Sequence, residues 1–174
     1  MRKKIFAFLL LSALYAGAQE VPDWENPIVV GINKEPYHAT LTLPSQKADC
    51  KEIISLNGKW RFQWSADPGK RPADFYKNDF NTDTWDTITV PGAWQLQGYG
   101  KPIYSNVNYP FQKDAPRVTS EPPAEYYSYG HRNPTGSYVT TFEVTPDMKD
   151  KCLYLHFEGV KSAMYVWVNG QQVG

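Results

Sequence analysis

No charge of either sign dominates this 174-residue sequence: Lys and Arg total 18, and Asp and Glu total 18. A nucleic-acid binder carries a basic excess or a basic stripe, and neither is present, so no nucleic-acid partner is expected. Cysteine is scarce, with Cys50 and Cys152 alone and in neither a CxxC nor a zinc spacing. The three histidines, His38, His131 and His156, share no metal-ligand spacing with one another or with either cysteine. There is no P-loop, no GxGxxG, no defensible Ser-His-Asp arrangement, no internal repeat and no low-complexity tract. Long apolar runs are also missing. The one sustained run, residues 5–16, is shorter than the roughly 20 residues a membrane-spanning helix needs.

Aromatic residues are abundant at 15%, with six Trp and twelve Tyr, and proline is high at 14. Disordered chains are poor in aromatics, so a disordered tail is excluded. Short apolar runs among many prolines predict an all-β domain with long loops. The N-terminus reads as an address. Arg2, Lys3 and Lys4 precede the apolar run, and Ala16-Gly17-Ala18 gives a small-x-small site before Gln19. This is the pattern of a secretory signal peptide over residues 1–18, with cleavage after Ala18. No cysteine follows the site, which argues against a lipoprotein. The mature chain then carries 15 positive against 18 negative side chains and is expected in the periplasm or outside the cell. Export permits a disulfide between Cys50 and Cys152. Two unpaired thiols are the alternative, and spacing does not decide between them.

Residues 19–47 show no sustained period and hold four prolines, reading as an extended arm that is ordered only by lying against something else. The domain proper is placed at 48–174. Lys59-Trp60-Arg61-Phe62-Gln63-Trp64 alternates strictly, aromatic on one face and polar on the other, and predicts a half-buried strand after an Asn57-Gly58 turn. Residues 65–86 read as loop with a helical turn near 73–76, and 87–90 as a short strand. Residues 92–136 form a long irregular stretch, which inside a compact domain is usually functional or contact-making. Further strands are predicted at 137–144, 153–157 and 164–168. Trp167-Val168-Asn169-Gly170 then enters an Asn-Gly type I′ hairpin whose return strand has only begun at Gly174. Five or six strands are fewer than the eight of a jelly roll, so the expectation is an incomplete β-sandwich and a chain that is the N-terminal piece of a longer protein.

Glycoside hydrolysis needs two carboxyl groups at a set separation. Asp86, Asp114, Glu121 and Glu125 are available, but no spacing singles out a pair, and no catalytic residue is assigned. Residues 94–110 differ in kind, mixing Trp94, Tyr99, Tyr104 and Tyr109 with Gln95, Gln97, Asn106 and Asn108 on a Gly- and Pro-shaped loop. Sugars stack C–H faces on aromatic rings and pair hydroxyls with amides, so this loop is a candidate sugar contact. Plugging the domain's own core, or meeting a neighbouring domain, is the alternative use of the same aromatics.

Seven segments in register resemble the N-terminal region of the large bacterial β-galactosidases of glycoside hydrolase family 2. They are Asp23-Trp24-Glu25-Asn26-Pro27, Ser55-Leu56-Asn57-Gly58-Lys59-Trp60-Arg61-Phe62, Val90-Pro91-Gly92-Ala93-Trp94-Gln95, Pro102-Ile103-Tyr104-Ser105-Asn106-Val107-Asn108-Tyr109-Pro110, Asn133-Pro134-Thr135-Gly136-Ser137-Tyr138, Phe157-Glu158-Gly159-Val160 and Trp167-Val168-Asn169-Gly170. The resemblance implies a jelly-roll, galactose-binding-like domain ahead of immunoglobulin-like domains and a catalytic barrel that is absent here. It implies that Asn106 contacts the galactosyl unit with Val107 beside it, and that the arm around Asp23 helps assemble a homo-oligomer. It implies a retaining enzyme whose two catalytic Glu lie on the barrel, so that this segment alone is inactive. No cofactor is expected in this segment, although the resemblance attaches magnesium and sodium to a full-length enzyme.

One departure stands out. Between Pro110 and Asn133 the sequence carries a longer loop that either reshapes a pocket mouth or elaborates the surface. Beside the galactosidase reading stand two others: a stand-alone carbohydrate-binding module, and a purely structural interaction domain.

Overall fold

The computed structural model describes residues 21–36, 53–102, 114–119 and 133–174. The signal peptide assigned to residues 1–18, Cys50, His38, His131, Glu121, Glu125, Asn106 and Val107 lie outside them. The described residues form five strands and short 3₁₀ turns, with no α-helix among them, so the architecture is all-β.

Strand β1 (Gly58–Ser65) is the centre of a three-stranded antiparallel sheet, flanked by β2 (Asp86–Val90) and β3 (Thr135–Val139). Its alternation works as a period of two requires. Phe62 is fully buried, Trp60 and Trp64 are half-buried, and Lys59, Arg61 and Gln63 face solvent. The strand starts where Gly58 takes a φ of 142°, and the Trp60 indole N–H donates back to the Leu56 carbonyl at 2.7 Å. Trp60 lies opposite Ile88 on β2, and Phe62 opposite Tyr138 on β3, so one face gathers the apolar residues. Phe62, Trp85, Ile88 and Met148 are the buried apolar residues among those described. Burying a side chain of this size contributes about 1.5–3 kcal/mol. On the opposite face, Lys59 donates to the Thr89 hydroxyl at 2.7 Å.

The second sheet is the hairpin of β4 (Trp167–Val168) and β5 (Gln171–Gln172). Its turn has Asn169 at φ 49° and Gly170 at φ 81°, the two positive values that a type I′ turn demands. Backbone bonds from Val173 and Gly174 to the Val166 carbonyl, and from Val166 to the Gly174 carbonyl, extend the pairing beyond the two-residue strands. Aromatic rings tie the hairpin to the loop after β1. Tyr76 stacks on Trp167 at 5.3 Å, Phe75 meets Trp167 edge-on at 5.5 Å, and Phe75 reaches Trp85 at 6.0 Å.

Several expected elements differ. The strand expected at 137–144 runs instead from Thr135 to Val139, because its ladder with β1 ends at the Arg61–Val139 pair. Residues 153–157 alternate correctly yet join no ladder among the described residues; Leu153 is 54% exposed and Leu155 38%. Alternation marks a face, but a strand also needs a neighbour's backbone groups. Of 164–168, only Trp167–Val168 is strand, and Met164 is exposed. The stretch after Gly92, read as irregular, opens with a 3₁₀ turn at Trp94–Gln97. The helical turn expected near 73–76 is present as hydrogen-bonded turns, with the Lys77 N–H donating to the Asp74 carbonyl.

Candidate functional site

The candidate loop begins just after β2, and its first residues are committed to the fold. Trp94 packs against Phe62 with ring centroids 6.0 Å apart, and Tyr99 meets Phe62 edge-on at 4.7 Å. Room for Trp94 exists because residue 136 is glycine. A Cβ there would lie 2.6 Å from Trp94 and 2.7 Å from Phe62. Gly98 closes the 3₁₀ turn at φ 98°, letting the Tyr99 N–H reach the Trp94 carbonyl at 3.1 Å. The Gln97 amide grips the outer edge of β2, accepting from the Thr89 N–H at 2.8 Å and donating to the Thr89 carbonyl at 3.0 Å. Burial first, and then a hydrogen bond to Asp86, raise the Tyr99 phenol above its ordinary value.

Trp94 and Tyr99 therefore pack on the core residue Phe62, and Gln97 bonds to β2. All three side chains remain half-buried. The residues assigned to sugar contact, Asn106 and Val107, fall in 103–113, outside the described residues. Of the loop carboxylates considered, Asp86 is not on a loop but opens β2, paired with Phe62. Asp114 lies in the described 114–119 segment, half-buried.

Two further arrangements show what the arm lies against, which no local pattern specified. The arm's Glu25 carboxylate accepts from the Val118 N–H at 3.0 Å and the Thr119 hydroxyl at 2.8 Å, joining the N-terminal segment to the longer loop. These bonds, the Val118 one foremost, hold the Glu25 pKa below the usual carboxylate value. The arm also packs on the hairpin. Trp24 meets Tyr165 edge-on at 6.2 Å, the Arg71 guanidinium sits 5.2 Å from the Trp24 ring centroid, and the Asn33 amide donates to the Val173 carbonyl at 2.9 Å. Only a three-dimensional fold brings residues so distant in sequence together.

Among the described residues, no three or more His, Cys, Asp or Glu side chains gather to hold a metal ion. His156 is exposed, and Cys152 is an exposed free thiol. No helix of the described residues is long and apolar enough to cross a membrane.

Comparison with known proteins gives this geometry a family. Residues 53–174 match the model of the glycosyl hydrolases family 2 sugar binding domain. The chain belongs to glycoside hydrolase family 2. A β-galactosidase of Priestia megaterium (strain DSM 319 / IMG 1521) is 40% identical over 169 residues, covering 91% of this chain and 16% of the relative. A β-galactosidase of Clostridium acetobutylicum is 41% identical over 159 residues, covering 87% of this chain and 17% of the relative. A β-galactosidase large subunit of Lactobacillus acidophilus (strain ATCC 700396 / NCK56 / N2 / NCFM) is 40% identical over 126 residues, covering 69% of this chain and 20% of the relative. This family 2 chain thus spans no more than a fifth of the length of these relatives.

Proposed function

We propose that this chain is the N-terminal sugar-binding part of an exported β-galactosidase that hydrolyses terminal β-galactosides with retention. The observation that carries the reading is the match to β-galactosidases at about 40% identity over most of the chain. On this reading, the Asn106 amide hydrogen-bonds galactosyl hydroxyls, using both its carbonyl and its NH₂, with Val107 beside the ring. Two Glu residues elsewhere in the enzyme supply the acid/base and the nucleophile. Further strands complete a jelly roll around β1–β5, the arm contributes to a homo-oligomer, and residues 1–18 direct export.

The contacts of Trp94 and Tyr99 with Phe62, and of Gln97 with β2, support assigning the sugar contact to the following residues rather than to the whole loop. Sheet and loop then divide the work, the first holding a rigid base and the second meeting the ligand.

The test is to express the complete gene product and compare wild type with Asn106→Ala on a chromogenic β-galactoside. The expected result is a KM raised at least about tenfold, the loss of one or two hydrogen bonds to substrate. The 174-residue chain alone should show no turnover. Unchanged KM and kcat in Asn106→Ala would remove that residue from the site and favour a purely structural role for the domain.

A further inference from the structure

An open groove of about 330 Å³ lies between the N-terminal segment and the β4–β5 hairpin. We propose that it is a second saccharide site, separate from the Asn106 loop, taking one neutral pyranose ring. Its walls include Trp24, Tyr165 and Trp167, and its polar groups are Asp23, Arg71 and Gln172. The volume is at the low end for small-molecule sites, which start near about 300 Å³, and suits one monosaccharide better than an oligomer or a nucleotide.

The chemistry of the lining narrows the ligand. Arg71 and Asp23 are of opposite charge and cancel, so the lining as a whole favours neither an anion nor a cation. An apolar ligand would take those two groups out of water without giving them partners. Tyr76 already stacks on one face of Trp167 and Arg71 lies over Trp24, so a pyranose would set its C–H face on the ring surface these leave and meet the polar groups with hydroxyls that each donate and accept. Donors and acceptors remain at the groove edge. Arg71 donates one N–H to the Pro68 carbonyl at 2.7 Å, out of the five a guanidinium carries. Gln172 stands exposed on β5 and presents a complete amide. Asp23 lines the groove beside Tyr165 and brings a carboxylate that accepts hydrogen bonds.

Spectra of the full chain would read the site directly, following the Gln172 side-chain amide and the Trp24 indole N–H by NMR during titration with galactose, glucose and sodium acetate. The expected result is that a sugar shifts both signals with a Kd on the order of millimolar, as a small open site allows. Gln172→Ala and Arg71→Gln should each weaken that binding at least about fivefold, since each removes hydrogen bonds to the ligand. Gln172 is exposed, so its variant should keep the dispersed spectrum of the wild type. Asn106→Ala should leave these shifts unchanged, which separates this site from the one proposed above. The inference is overturned if neither sugar moves the two signals, if acetate alone moves them, if Gln172→Ala binds as the wild type does, or if Asn106→Ala abolishes the shifts.

Discussion

Gln97 is joined to Thr89 twice, taking its N–H at 2.8 Å and giving an N–H to its carbonyl at 3.0 Å. Among the described residues β2 is an edge strand, with β1 on its other side, and Thr89 turns both backbone groups outward. A single glutamine side chain thus does what one residue of a neighbouring strand would do, and it anchors the turn that leads into the candidate sugar loop.

Gln97→Ala is therefore expected to destabilise the fold by about 1 kcal/mol, because the freed Thr89 groups at this exposed edge return to water. Gln97→Glu should cost more at neutral pH. Its carboxylate still accepts from the Thr89 N–H but opposes the Thr89 carbonyl, where the amide had a donor. Urea melts of the two variants check the order; equal stability of all three proteins would dismiss the bracket.

Gly136 shows how tightly the same region is packed. A Cβ at that position meets two rings at under 3 Å, and both rings belong to the core around Phe62. Gly136→Ala is expected to cost about 1–3 kcal/mol, the range for overpacking, and to alter the environment of Trp94. Thermal melting and tryptophan fluorescence together give the answer. A variant as stable as wild type, with an unshifted spectrum, would mean that Trp94 packs elsewhere in solution.

The clasp of Glu25 on Val118 and Thr119 depends on a charged carboxylate. Its hydrogen bonds favour the charged form and hold its pKa below the unfolded value of about 4.3. The stabilisation is therefore complete above that value and is lost as the pH falls through the lower, folded-state pKa. The Val118 amide resonance should titrate with a midpoint below the ordinary glutamate value. Glu25→Gln should abolish that titration and raise hydrogen exchange at Val118 across the whole range. A Val118 amide indifferent to pH in the wild type would contradict the clasp.

Much of the sheet was legible because its signals are local. The alternation from Lys59 to Trp64 predicted both the strand and its buried face, and Asn169-Gly170 predicted the turn with its two positive φ values. The failures came where a partner decides the outcome. Residues 153–157 carry the same alternation as β1, but among the described residues nothing lies alongside to bond them. In the candidate loop, Trp94 and Tyr99 read either as sugar platforms or as core. The choice rests on Phe62 and Gly136, which are distant in sequence and visible only once folded. The contacts of Glu25 with Val118 and of Arg71 with Trp24 were not legible for the same reason, since they join residues far apart along the chain.

The hairpin turn offers the sharpest contrast between substitutions at a single position. Asn169 holds φ 49°, a left-handed conformation that asparagine tolerates, glycine adopts freely and β-branched residues resist. Asn169→Gly should be close to neutral, whereas Asn169→Val should cost about 1–2 kcal/mol, the left-handed penalty for a side chain with a Cβ. At Gly170 the nearest atoms to an added Cβ are 3.7 Å away, so Gly170→Ala meets no clash and its cost comes from φ 81° alone. The hairpin carries Trp167 onto Tyr76 and Phe75, so loosening the turn should also unstack those rings. Near-ultraviolet circular dichroism of Asn169→Val should lose aromatic signal in step with its drop in stability. An Asn169→Val protein as stable as Asn169→Gly would show that the turn abandons its type I′ geometry at no cost.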